Sequence, residues 1–254
     1  MKKILLTVLI ALPFLGHAQD NSVKLTLSPA MVLTNNFGVN YERKLTDAFS
    51  ANLRVNLSSR KAVPFNGLAT NILGDLLDSN GVNSDVFNTK VVSYGASIQF
   101  RYFPKKEALK GFYIAPYFGL QAGKMKPFSF DFPDASDPSI KHGGEVNASF
   151  LFLGAGLGIG NQWVLDNGLT VDIMWFGIGG GKNKIILDGS NSSGSVNYAQ
   201  VDADVNQFFV DESETLDQFG VSATTSYSSN NIEIIAKHAF PYMKILNFSI
   251  GYSF

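Results

Sequence analysis

The feature that most restricts this chain is a period of two. Between residues 246 and 254, Leu246, Phe248, Ile250, Tyr252 and Phe254 alternate with Asn247, Ser249, Gly251 and Ser253, so an extended strand here has one apolar face and one small polar face. Seven further stretches read the same way, at 23–33, 36–44, 48–58, 91–103, 111–125, 149–163 and 169–178. Their apolar faces include Leu25, Val39, Leu53, Val55, Ile98, Phe100, Phe118, Leu120, Leu153, Leu157, Val171 and Trp175. Their opposite faces carry Asn40, Glu42, Asn52, Arg54, Arg101, Tyr113, Tyr117 and Asp172, with Gly154, Gly156, Gly158 and Gly160 in one row. Pro116 interrupts the pattern only in that it cannot donate to a ladder.

Eight half-apolar strands need a cover. A soluble β-sandwich covers them with a second sheet; a transmembrane barrel leaves them to lipid and turns the polar faces into a lumen. Charged residues are only 16% of the chain, where a soluble domain usually carries about a quarter, which favours lipid. No apolar run after the N-terminal segment approaches the roughly 18 residues of a membrane-spanning helix, so the crossing would be made by strands. The connections agree. Those at 45–47, 104–110 and 164–167 are short, whereas 59–88, 126–146 and 179–241 are long, as expected of a barrel with tight turns at one rim and long loops at the other. The first outward connection, Thr34-Asn35, is short as well, and asparagine suits a tight hairpin. Tyr102, Phe112, Trp163, Tyr252 and Phe254 fall at the rim nearest the termini and Trp175 at the opposite one, where aromatic rings favour a water–lipid boundary.

The N-terminus reads as an export signal. Lys2 and Lys3 precede an apolar run from Ile4 to Leu15 and the small residues Gly16 and Ala18, so cleavage is expected before Gln19. Removing those two lysines leaves 18 basic against 21 acidic residues, a net charge of −3, and no basic patch that would recognise nucleic acid. The absence of cysteine excludes disulfides, thiolate metal sites and a lipidated N-terminal cysteine.

Taken with the signal and the alternating strands, the terminal Asn247-Phe248-Ser249-Ile250-Gly251-Tyr252-Ser253-Phe254 resembles the small outer-membrane β-barrel family of the OmpA, OmpX and OmpW type. The expected architecture is all-β: residues 1–18 as signal peptide and 19–254 as an eight-stranded antiparallel transmembrane barrel whose long extracellular loops carry short helices. Such a chain would be integral to the cell outer membrane, in contact with its lipid and lipopolysaccharide. The resemblance implies that Phe248, Ile250, Tyr252 and Phe254 form the signal read by the barrel-assembly machinery. Unlike OmpA, the sequence shows no peptidoglycan-binding domain after Phe254, so cell-wall anchoring is not implied.

Glu42, Arg54, Arg101 and Asp172 are expected to form a structural polar network in the lumen, since an eight-stranded barrel is wide enough only for its own side chains. The leading expectation is a non-enzymatic barrel acting through its outer loops, with no catalytic residue, cofactor or metal. A narrow channel for small solutes and a lipid-modifying barrel enzyme are the alternatives. Against the enzyme, His238 is followed by Ala239 and Phe240, not by the serine of lipid A deacylases, and His142 is the only other histidine after the signal. A serine–histidine–acid site assembled from distant loops stays open. Asp202, Asp204 and Asn206 match the start of a calcium loop, but Gln207 stands where glycine is needed and Ser213 where the bidentate glutamate belongs. The competing reading is a helix over 201–219 with Val201, Val205, Phe208, Phe209, Leu216 and Phe219 on one face. A second amphipathic segment, Leu68, Ile72, Leu73, Leu76 and Leu77, lies in the 59–88 loop. In the 179–241 connection, 184–187 and 232–236 are expected to pair into a raised hairpin, 189–194 to be mobile, and the helix to lid the mouth or dock an outer-membrane protein partner.

Overall fold

Alternating faces can close on themselves only if each strand finds two neighbours, and here they do. The computed structural model describes residues 20–27, 36–60, 90–137, 139–191, 196–211, 213–218 and 220–254. The expected signal peptide, the amphipathic segment at 68–77, the hairpin at Thr34-Asn35 and the end of the 189–194 stretch, beyond Asn191, lie outside the described residues.

The strands are β1 (Asn21–Leu27), β2 (Asn36–Lys44), β3 (Phe49–Arg60), β4 (Val91–Tyr102), β5 (Gly111–Met125), β6 (Phe128–Pro133), β7 (Lys141–Val164), β8 (Leu169–Ser190), β9 (Val221–Tyr227) and β10 (Asn231–Ser253). Two helices, α1 (Tyr198–Asp211) and α2 (Ser213–Gln218), lie between β8 and β9. Hydrogen bonding follows the order β1-β2-β3-β4-β5-β7-β8-β10, and β10 pairs back onto β1 from Ser22–Ser253 to Leu27–Phe248, closing a ring of eight antiparallel strands. Closure leaves none of the eight with an unpaired edge. The ring is compatible with the β-barrel expected from the sequence.

The three short turns gather at the end that holds the termini. Lys44 N donates to Asp20 O, Ala108 N to Asp47 O, Ser253 N to Gly168 O and Phe254 N to Asn21 O. Pro116 is accommodated within β5, where the β4 ladder skips from Gln99–Tyr117 to Tyr102–Ile114 around the missing donor.

Outward positions are apolar on every strand of the ring. Leu25, Phe37, Leu53, Phe100, Phe118, Leu157, Ile178 and Ile245 are all exposed, one from each. Along β4 the outward row Val92, Tyr94, Ala96, Ile98, Phe100, Tyr102 covers ten residue steps; at about 3.3 Å per residue and about 40° tilt this is a band about 25 Å tall. In the lower half the phase slips once. Trp175 is an extra residue relative to β7, at a bulge beside Ile159 and Gly160, and Leu246 opposite it on β10 has a φ of 48°. Trp175 and Phe176, like Ile245 and Leu246, therefore both face outward, so that each strand keeps its polar residues inside on both sides of the bulge.

Three strands outrun the sequence reading: β7 has 24 residues, β8 has 22 and β10 has 23. Their extensions stand beyond the ring, away from the termini, as a sheet edged by β6 on one side and β9 on the other. The pairing of 184–187 with 234–237 and of 232–236 with 185–189 is the raised hairpin expected there. Phe132, Val146 and Ile232 on one face of this sheet are covered by Tyr198 and Val201 of α1, with Val205 packed beside them. The extension of β8 also corrects the placing of Trp175. It does not mark the far rim but packs edge-on against Trp163, ring centroids 6.5 Å apart, because β8 continues for fifteen residues past it to Ser190.

Candidate functional site

The chemistry of the ring lies in its interior, where period two sends polar side chains inward from all sides. Lys24 on β1, Glu42 on β2, Arg101 on β4 and Asp172 on β8 are almost completely buried. They form a closed square. Lys24 Nζ lies 2.5 Å from Glu42 Oε2 and 2.8 Å from Asp172 Oδ2, while Arg101 Nη1 lies 3.1 Å from that Glu42 oxygen and 2.7 Å from that Asp172 oxygen. Two cations and two carboxylates sum to zero, the condition under which buried ions can be held at all.

Neutral groups complete the coordination. Gln162 Oε1 on β7 accepts from both Lys24 (2.9 Å) and Arg101 (2.8 Å), Ser50 on β3 donates to Glu42, and Tyr113 on β5 donates to Asp172 Oδ1 at 2.8 Å. The Arg101 guanidinium also sits 4.2 Å from the centre of the Tyr113 ring. Gly160 admits that tyrosine, since a Cβ there would stand 2.5 Å from its hydroxyl. Below, Phe103 packs on Tyr113 and Ala115 and closes the end near the termini. Beside the square, Thr26 and Ser249 (2.7 Å) and Thr170 and Ser253 (2.6 Å) join β1 and β8 to β10 through side chains. A one-residue slip of any contributing strand would turn its ion outward, so the square specifies register as well as filling space.

Three of the four residues expected from sequence, Glu42, Arg101 and Asp172, meet here. Arg54 lies farther along the interior, packed over Gly38, in the wall of a cavity of about 20 Å³ also lined by Asn40, Asn52, Asp172, Lys244 and Asn247. Sequence reasoning missed Lys24, Gln162 and Lys244, although parity with Thr26, Gly160 and Tyr242 places each inward. Beyond Lys244 comes an aromatic layer in which Tyr242 and Phe240 both pack on Phe152.

The loops hold one tight acid–imidazole contact. His142 Nε2 is 2.6 Å from Asp134 Oδ2, while Asp134 Oδ1 accepts from the Ser136 hydroxyl and from the Ser136 and Asp137 amides. Those bonds, led by the Ser136 hydroxyl and then His142, hold the Asp134 carboxyl well below the usual aspartate range. The order is hydroxyl–carboxylate–imidazole. A nucleophile needs the imidazole in the middle, so this cluster organises a turn and does not activate Ser136. His238 stacks on Phe240, ring centroids 5.0 Å apart. Asp202 and Asp204 lie on α1, where Asn206 bonds Asp202 and Gln200 bonds Asp204 one turn away along the helix, and no cluster of potential metal ligands occurs among the described residues.

Compared with known protein families and with the curated proteins, the chain matches none. Its function is therefore argued from its own geometry.

Proposed function

We propose that the protein is a non-enzymatic, integral outer-membrane β-barrel whose interior is a solid ionic plug and whose raised sheet and helix α1 form its working surface outside the cell. The observation that carries this reading is the pairing of two opposite surfaces on one closed ring. The outward surface is a continuous apolar belt, and the inward one is a neutral, fully buried ion square.

A soluble monomer exposes apolar patches of roughly 300–600 Å² at most, and a belt running round eight strands far exceeds this. Lipid is the solvent that such a belt fits, and its height of about 25 Å matches the apolar band of outer-membrane barrels. Phe49 and Tyr102 in contact (5.1 Å between ring centroids), with Phe112, Trp163 and Tyr252, supply aromatic side chains toward the turn-bearing end. The terminal strand supports assembly by the same route as other barrels, since Phe248, Ile250 and Tyr252 face outward beside Phe254 at the closing seam with β1. Export through a cleaved signal, contact with lipopolysaccharide and a partner for the raised sheet belong to the same proposal.

The ion square speaks against the narrow-channel alternative, because Lys24 and Arg101 reach across the lumen and the cavity beside them holds about 20 Å³, the space of one water. The histidine geometry speaks against the enzyme alternative. The test is fractionation and electrophysiology of the protein expressed in a Gram-negative host. The expected result is carbonate-resistant recovery with outer membranes, a faster-migrating unheated form on gels and no unitary conductance in planar bilayers. Recovery as a soluble periplasmic protein would overturn the membrane reading, and steady conductance would overturn the plug.

A further inference from the structure

At the far edge of the apolar belt one part of the outward surface turns basic. Lys182 and Lys184 follow each other on the outward row of β8, and Lys237 on β10 stands directly opposite Lys184. Two residues along a strand and one across it put the three backbone positions within about 8 Å of one another. None of the three lysines makes an ion pair with a described residue. The next acids along this face of the two strands, Asp188 and Glu233, stand opposite each other four residues farther out, about 13 Å away. Like charges directly opposite on paired strands repel, so Lys184 and Lys237 call for an anion that no described residue supplies.

The height of the cluster is set by the ladder. Val171 pairs with Trp163 and Lys182 with Leu153, ten residues apart along β7. At about 3.3 Å per residue and about 40° tilt that is about 25 Å, so Lys182 stands where a band of that height ends. Just inside the band the outer wall is hollow. Ala155, Gly180 and Pro241 lie side by side in register, and Ala239 pairs with Lys182. With Phe118 and Leu153 they line an open groove of about 550 Å³ that has Lys182 at its far end. Sites for small ligands run to roughly 300–1,000 Å³. A Cβ added at Gly180 would meet nothing within 4 Å, so this side of the strand is open space and not packed wall.

We infer that this face binds one phosphorylated lipid of the outer leaflet, with an acyl chain in the groove and the phosphate between Lys182, Lys184 and Lys237. A groove that is apolar along its length and cationic at the edge of the belt is complementary to an amphiphile with an anionic headgroup. The bound phosphate offsets the repulsion between Lys184 and Lys237, to which ammonium groups bind as point charges. The inference rests on the membrane reading and names a ligand site within it.

The test uses the full-length protein in vesicles holding equal amounts of phosphatidic acid and phosphatidylcholine with matched chains, released in detergent and weighed intact by native mass spectrometry. One phosphatidic acid should be retained per chain, preferred at least about tenfold over phosphatidylcholine, since each lysine near an anionic lipid surface contributes about fivefold. Replacing all three lysines, by Lys182→Gln, Lys184→Gln and Lys237→Gln, should abolish the preference. Gly180→Leu, which keeps all three charges and places its side chain in open space, should lose the retained lipid. No preference in the wild type, an unchanged preference in the triple variant, or full retention in Gly180→Leu would each overturn the inference while leaving the inserted ring, and with it the membrane reading, in place. Failure of the chain to enter the vesicles would overturn both.

Discussion

Replacing Lys24 by methionine keeps most of the side-chain volume and deletes one corner of the ion square. Glu42 and Asp172 would then share only Arg101, at 3.1 Å and 2.7 Å, and the cluster would carry one uncompensated negative charge. Removing one partner of a buried ion pair costs about 3–5 kcal/mol. Arg101, Ser50 and Tyr113 still contact the two carboxylates, which places the expected loss near the lower end, about 3 kcal/mol, or roughly a hundredfold in the unfolding equilibrium. Asp172→Asn in the same chain restores neutrality, leaving Arg101 against Glu42. The double variant should therefore be more stable than the sum of the single losses by about 1–3 kcal/mol. Urea unfolding in lipid vesicles, followed by the fluorescence of the two tryptophans, measures all four corners of the cycle. Losses that add to within about 0.5 kcal/mol would show that the four ions do not act as a unit and would refute the reasoning.

Other consequences follow from the same contacts. Gly160→Ala should cost about 1–3 kcal/mol in the same unfolding assay, since the added Cβ would lie 2.5 Å from the Tyr113 hydroxyl and 2.4 Å from the Ile173 carbonyl oxygen; Tyr113→Phe should relieve only part of it, because the backbone contact remains. The depressed Asp134 carboxyl contributes turn stability that is fully present above the ordinary aspartate value of 3.8 and is lost as pH falls through its lower folded value. Amide exchange at Ser136 and Asp137 should thus be slow from pH 5 to 7, in the range of about one unit above that value and higher, and fast in Asp134→Asn throughout. Deleting residues 198–218 should leave the ring folded and inserted while uncovering Phe132, Val146 and Ile232, read as new binding of a hydrophobic dye; loss of the inserted form would show that the helices are needed for closure.

Period two was enough to recover the ring, because the outward and inward faces of a closed ring of strands differ so sharply that each strand must alternate. Glu42, Arg101 and Asp172 were legible as lumen residues for that reason. Lys24 was not, since a lysine between Val23 and Leu25 reads as an ordinary polar position until the tertiary fold shows it reaching Asp172 from the other side of the interior. The length of β8 was hidden by Gly179-Gly180-Gly181, which looks like a turn. In the fold this run is extended strand, and Gly181 is required by close approach: a Cβ there would meet the Phe152 ring at 2.3 Å. The raised hairpin and the helix were readable from β-prone flanks and from the spacing of Val201 and Val205, whereas β6 and β9 carried too short a signal to separate from loop.

The central claim, that the outer face of this ring meets lipid and its inner face does not, can be measured residue by residue. The chain has no cysteine, so single cysteines placed along β3 from Phe49 to Leu57 can carry a spin label without background. In outer-membrane vesicles, labels at Leu53, Val55 and Leu57 should be reached by oxygen and shielded from a water-soluble nickel complex, while those at Asn52, Arg54 and Asn56 should be shielded from oxygen, giving a period of two. Nickel-complex access at Leu53 and Val55 equal to that of an exposed loop position, or no alternation along the strand, would contradict the account.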